Sequence, residues 1–202
     1  MSGYEYDYEP PGADEAMRVR KGPVVKREAG DSPFASFLDL VDLLFVKGFL
    51  AHGFSLQKIR KALAEAETVL GGHHFAQRAF FTDGKRIYLK VHERGAEALL
   101  QLFTGGQWVI APVILQAARQ IEFDEHTGFA ERWYPAGRDG RIIVDPRICF
   151  GAPVVAGKGV STSNVYSLFQ AENEDAERVA SWMHLDVRDV EAAVGYEKAL
   201  AA

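Results

Sequence analysis

The chain predicts a mainly α-helical fold with small β-hairpins, closed at its C-terminal end by a tri-helical, helix-turn-helix-like unit. Three observations predict it. Apolar residues recur at spacings of three and four between Ser36 and Glu67. Three short helical patterns separated by tight turns follow Ser161, Glu174 and Asp186. The β-prone runs are short and lie beside turn signals such as Pro10-Pro11-Gly12 and Asp83-Gly84.

The elements follow in order. Tyr4 to Tyr8 and Met17 to Val25 are strand candidates around the first turn, and either a hairpin or a disordered arm fits them. Phe37, Leu40, Val41, Leu44 and Phe45 form one helical face. Ser36 is its N-cap, Asp39 its capping-box partner, and Gly48 and Gly53 mark its end. Ser55 caps a second helix. There Leu56, Ile59, Leu63 and Ala66 face inward, Lys58, Arg60 and Lys61 lie off that face, and Gly71-Gly72 stops the helix. Ala79 to Thr82 and Arg86 to Val91 read as a hairpin across Asp83-Gly84. Gln107 to Gln120 reads as a helix whose start Pro112 restricts. Ile121 to Phe123 and Phe129 to Tyr134 are short strands.

Pro135 to Gly140 is the strongest boundary signal in the chain. Beyond it, Arg141 to Val144 is a strand ended by Asp145-Pro146. A Gly/Pro-punctuated loop spans Gly151 to Gly159, and three helices follow. Their inward residues are Val165, Leu168 and Phe169; then Ala176, Val179, Ala180 and Met183; then Val187, Val190 and Val194. Asp186 with Asp189 resembles a capping pair.

Composition excludes several classes. The 202 residues are 48% hydrophobic, enough for one large domain or two small ones. One cysteine, Cys149, forbids an intrachain disulfide. The acidic, aromatic start is unlike a signal peptide, and no apolar stretch is long enough to span a bilayer. The expectation is a cytoplasmic protein with no membrane partner. The six histidines, at 52, 73, 74, 92, 126 and 184, show no HxH or HExxH spacing, so no metal and no cofactor is expected. There is no nucleophile elbow, and Lys158 is followed by Gly159, so Gly151 to Gly159 does not end as a phosphate loop does. Glu172, Glu174, Asp175 and Glu177 cluster where a helix dipole favours negative charge. The chain therefore reads as no enzyme.

Charge is uneven. Residues 1–33 hold 5 basic and 7 acidic residues, 34–100 hold 9 and 7, 101–140 hold 3 and 5, and 141–202 hold 6 and 9. Only the second segment is net basic. Lys58, Arg60, Lys61, Lys85 and Arg86, with Arg18, Arg20 and Lys21 in the arm, are the candidate phosphate contacts, and a solvated surface explains them equally well. The last helix carries Asp186, Asp189, Glu191 and Glu197 against Arg188 and Lys198. Placing it against phosphates costs Coulomb energy. Asp186, Asp189, Glu191, Tyr196 and Glu197 are therefore candidates for binding a protein. Lys158, Ser161, Thr162 and Asn164, in and beside the preceding loop, are the candidate DNA contacts of this segment.

Two stretches resemble known families. The text IIVDPRICFGAPVVAGKGVSTSNVYSLFQAENEDAERVASWMHLDVRDVEAAVGYEKAL resembles domain of unknown function 433, a helix-turn-helix relative found in VapB-type antitoxins. Such antitoxins are often encoded beside PIN-like nuclease toxins. The text SFLDLVDLLFVKGFLAHGFSLQKIRKALAEAE is similar to the helices after the wing in MerR-like regulators, through Gly53, Phe54, Ser55, Leu56, Ile59 and Arg60. No helix pair precedes Tyr4, so what stands before Ser36 resembles the wing alone.

The resemblance implies a MerR-like winged-helix remnant plus a C-terminal tri-helical domain. It divides the chain into a wing-like arm (1–33), MerR-like helices and hairpin (34–100), a connector with a dimerisation helix (101–140) and the tri-helical domain (141–202). It implies an antitoxin that binds a cognate toxin, binds operator DNA weakly alone, and forms a homodimer through Trp108, Val109, Ile110, Val113 and Ile114. The rival reading is a MerR-like regulator sensing a small ligand near residues 101–134; Trp108, Trp133 and Trp182 fit the lining of its pocket, and ordinary core fits them better.

Overall fold

The structure is a computed structural model, and it describes residues 4–8, 17–21, 24–25, 34–51, 53–70, 75–77 and 117–201. The chain divides into two compact units, Met1–Ala76 with Thr82–Ile114, and Gln77–Phe81 with Leu115–Ala202. The described elements are mainly helical with small antiparallel hairpins. The sequence-predicted hairpin at residues 79–91 and the dimerisation residues Trp108, Val109, Ile110, Val113 and Ile114 lie outside the described residues.

In the first unit, β1 (Tyr4–Tyr8) and β2 (Met17–Lys21) pair antiparallel, with Tyr4 opposite Lys21 and Tyr6 opposite Val19. The second strand is shorter than its apolar pattern suggests. α1 (Phe37–Ala51) begins at a reciprocal cap. The Ser36 amide donates to Asp39 Oδ2 at 2.9 Å, and the Asp39 amide donates to Ser36 Oγ at 3.0 Å. Two of the amides that a helix start leaves without partners are thereby satisfied.

The helix runs through Gly48 and stops at Gly53, whose φ is +82°. The Phe54 amide donates to the Phe49 carbonyl at 3.1 Å and the Gly53 amide to the Leu50 carbonyl at 3.0 Å. This is a Schellman close. Its usual apolar contact is the edge-on packing of Phe54 on Phe49, with centroids 5.8 Å apart.

α2 (Leu56–Leu70) follows, with Ser55 Oγ accepting from the Lys58 amide. The core of this unit gathers Val41, Phe45, Val46 and Phe49 with Ile59, Ala62, Leu63 and Phe75. Phe75 packs on both Phe45 and Phe49, at 5.3 and 5.5 Å. Two expectations are corrected. The buried face of α1 is shifted toward Val46 and Phe49, leaving Phe37, Leu40 and Leu44 half-buried. Leu56 is exposed, because it occupies the first turn of α2, ahead of the packed face.

In the second unit, residues 117–119 are helical, and β3 (Ile121–Phe123) pairs antiparallel with β4 (Ala130–Trp133). The turn between them is tied by Asp124 Oδ1, which accepts from the Thr127 amide, the Thr127 hydroxyl and the His126 amide. Pro135–Gly140, expected as a domain boundary, is a turn inside this unit. The reason is hydrogen bonding: Trp133 and Val144 exchange both backbone bonds, each at 2.9 Å, so the chain on either side of the turn is one ladder.

β5 (Ile142–Ile143) then pairs with β6 (Val154–Val155) around a 3-10 turn at Cys149–Gly151. Three helices complete the unit: α3 (Thr162–Ala171), α4 (Ala176–Met183) and α5 (Val187–Ala201). Ser161 Oγ caps α3 by accepting from the Asn164 amide. Asp175, rather than Glu174, caps α4, because Glu174 is in the left-handed region at φ +64°.

The core joins Ile142 and Val155 to Val165, Phe169, Val179, Ala180, Leu185, Val190, Ala193 and Val194. Leu168, Ala176 and Met183 pack against it in part. Val187, expected inside, is exposed at the first position of α5.

Candidate partner-binding surface

The tri-helical unit is built so that some of its polar residues are structural and others are free. Asp189 is buried on α5. One of its oxygens accepts from the Arg141 guanidinium and the other from the Asp186 amide, 3.1 Å away. The expected capping relation therefore runs from Asp189 back to the start of the helix. Thr162 is also buried, its amide bound to the Pro153 carbonyl at 2.9 Å and its hydroxyl donating to the Glu197 carboxylate. Thr162 and Asp189 are thus interior bracing of this unit and present no surface to a partner.

Asp186, just before α5, and Glu191 on it are exposed, while Tyr196 and Glu197 are half-buried. Burial, and then the neighbouring Glu197 charge, raises the Tyr196 phenol above its ordinary pKa. Lys158 is exposed in a tight turn held by Gly157 and Gly159, both at positive φ. Ser161 is occupied as a cap, and Asn164 is exposed one turn into α3.

Of the basic candidates in the first unit, Arg18 is exposed on β2, in register with Asp7, and Arg20 is in register with Glu5 and Lys21 with Tyr4. Lys58 and Lys61 are exposed on α2 and Arg60 is half-buried. Lys85 and Arg86 lie outside the described residues. Trp182 is 57% exposed and stacks under Arg178 at 5.6 Å, so it lines no interior pocket, and Trp133 is half-buried in β4.

Sequence reasoning missed the cluster around Asp145. Its Asp-Pro step reads as a strand terminator, yet the side chain is buried between two arginines. Arg132 donates to Oδ2 from Nε at 3.2 Å and from Nη2 at 3.0 Å. Arg147 donates to Oδ1 from Nε at 3.0 Å and to Oδ2 from Nη2 at 2.9 Å, and its amide also donates to Oδ1. The Arg147 bonds outweigh burial and hold the Asp145 carboxyl at about 2. Glu131 pairs with Arg147 at 3.1 Å. Glu122 pairs with Arg132 at 3.2 Å and accepts from the Tyr134 hydroxyl. The only signal in sequence was the density of paired charges in 122–147.

This cluster anchors an unusual loop. Cys149, Phe150 and Gly151 all have positive φ, at 46°, 56° and 81°. A residue with a Cβ in that region costs roughly 1–2 kcal/mol. The loop is held by the Gly151 amide on the Ile148 carbonyl, the Ala152 amide on the Cys149 carbonyl, and Cys149 Sγ donating to the Gly159 carbonyl at 3.3 Å. Its product is a fully exposed phenylalanine, Phe150. Among the described residues no helix is long and apolar enough to cross a membrane, and no group of three or more His, Cys, Asp or Glu could hold a metal ion.

Residues 142–196 match the family described as protein of unknown function (DUF433). Over 143 residues, 67% of this chain, the sequence is 25% identical to VapB45, a candidate antitoxin of Mycobacterium tuberculosis. The chain spans 60% of the length of that relative. The fold is similar to that of the crystal structure of Rv2018 from Mycobacterium tuberculosis, with a TM-score of 0.66, 22% identity and 85% of each chain covered. The DUF433 match thus coincides with the β5–β6 ladder and the three helices that follow it.

Proposed function

We propose that this protein is the antitoxin of a type II toxin–antitoxin pair. It neutralises a PIN-like nuclease toxin by binding it, and it represses its own operon as a homodimer that binds operator DNA weakly alone. The carrying observation is the similarity to the VapB45 candidate antitoxin, with the DUF433 match on the tri-helical unit. The MerR-like reading of the N-terminal half supplies the DNA contacts of the proposal.

The mechanism is occlusion, with no chemistry by this chain. Glu191 on α5 and Asp186 just before it offer negative charge to a surface that binds phosphates, with Tyr196 and Glu197 half-buried beside them. Lys58 and Lys61 are exposed in residues 34–100, the net-basic segment, and Arg18 is an exposed cation on β2. Co-expression with the product of the adjacent reading frame is the test. A purified complex in which nuclease activity is silenced is expected. An adjacent product that neither binds the chain nor is inhibited by it would sink the proposal.

A further inference from the structure

We propose that Phe150 is the anchor by which the second unit docks onto its protein partner, entering an apolar pocket whose rim carries a carboxylate opposite Lys158. This rests on the antitoxin reading above and names the contact through which it acts.

Three observations converge. Phe150 is 106% exposed, more than any other large apolar residue among those described. The other exposed apolar residues of this unit have local accounts. Trp182 lies under Arg178, Val187 opens α5, and Leu200 is in its last turn. Among the described residues no ring or cation covers Phe150.

The backbone is also strained to present it. Cys149 and Phe150 are both left-handed where glycine is the usual occupant, and strain of this kind collects at ligand contacts. Beneath the loop, Asp145 is locked by Arg132 and Arg147, so the exposed ring stands on a rigid base. A pre-organised aromatic that must leave water is the usual centre of a protein interface.

Charge chooses the partner. Cys149 Sγ on the Gly159 carbonyl holds the Lys158 turn against the Phe150 loop. Lys158 is exposed and has no acidic partner among the described residues, whereas Arg147 is committed to Asp145 and Glu131. One free cation beside an apolar ring suits a pocket with a single carboxylate. It does not suit a run of phosphates, and residues 141–202 hold 6 basic against 9 acidic side chains.

The test uses the full chain with the purified product of the adjacent gene, titrated by calorimetry. Phe150→Ala and Phe150→Gly should each weaken binding roughly tenfold or more, mainly through faster dissociation. Phe150→Gly should hold or raise the melting temperature, since it relieves the left-handed strain, so lost binding cannot be ascribed to lost folding. Phe150→Leu should keep most of the affinity. Lys158→Glu should weaken binding, most at low salt. Unchanged affinity in both Phe150→Ala and Phe150→Gly overturns the inference while the antitoxin reading stands. So does a loss confined to duplex DNA binding. If the wild-type chain does not bind that product, the antitoxin reading fails and the inference fails with it.

Discussion

Asp145 shows how much one side chain does here. With its carboxyl held at about 2, it stabilises the folded state by about 2 kcal/mol relative to an unfolded carboxyl near 4. The sign follows from the depressed value. The contribution is complete above pH ~4 and is lost as pH falls toward 2. Asp145→Asn should therefore lower stability by about 1–3 kcal/mol at pH 7, because it removes the negative charge and one of the two acceptor oxygens that Arg132 and Arg147 share. Denaturant unfolding of both proteins at pH 7 and near pH 2 checks this; the gap should shrink at the lower pH, and a constant gap would refute the charge account. Gly53 is a second single-residue control. Its φ of +82° makes Gly53→Ala cost about 1 kcal/mol, although a Cβ there meets nothing within 4 Å. A melting temperature equal to wild type would mean that the Schellman close does not require glycine.

At the scale of elements, the caps decide where the helices start. Ser36→Ala removes one half of the α1 box and should cost about 1 kcal/mol, read by urea unfolding. α5 has a split character. Its Asp189 is consumed in tying Arg141 to the helix start, while Glu191 faces solvent. Glu191→Lys should therefore leave the melting temperature within about 1 °C-scale noise, as surface substitutions do. It should weaken binding to a basic toxin surface in a salt-dependent way. Affinity that is insensitive to this reversal would remove α5 from the proposed interface.

For the whole molecule, two proposals remain about assembly and DNA. The proposed homodimer should scatter light as twice the 22.3 kDa chain, and a monomer at working concentration would count against it. Arg18, Arg20 and Lys21 lie together on β2. Changing all three to alanine should reduce the salt slope of operator binding by roughly three units, about one for each phosphate contact, with toxin binding intact. An unchanged slope would take the arm out of the DNA interface.

Local pattern alone determined the helices and most caps. Ser36 with Asp39, Ser55, Ser161 and the periodicity of Ile59 with Leu63, or of Val190 with Val194, carry their structure within a few residues, because helical hydrogen bonds and caps close over one turn. The same local logic identified the DUF433-like text at the end of the chain. Tertiary structure alone decided which polar residues are free. Thr162 and Glu197 are 35 residues apart, and Arg141 and Asp189 are 48 apart, so no window of sequence reveals that these pairs are spent on each other. It also decided that Pro135–Gly140 lies within a ladder, and that a buried carboxylate at Asp145 stands beneath an exposed Phe150. Each of these depends on segments brought together from a distance, where burial and pairing set the energy of a charge and the spacing of residues along the chain does not.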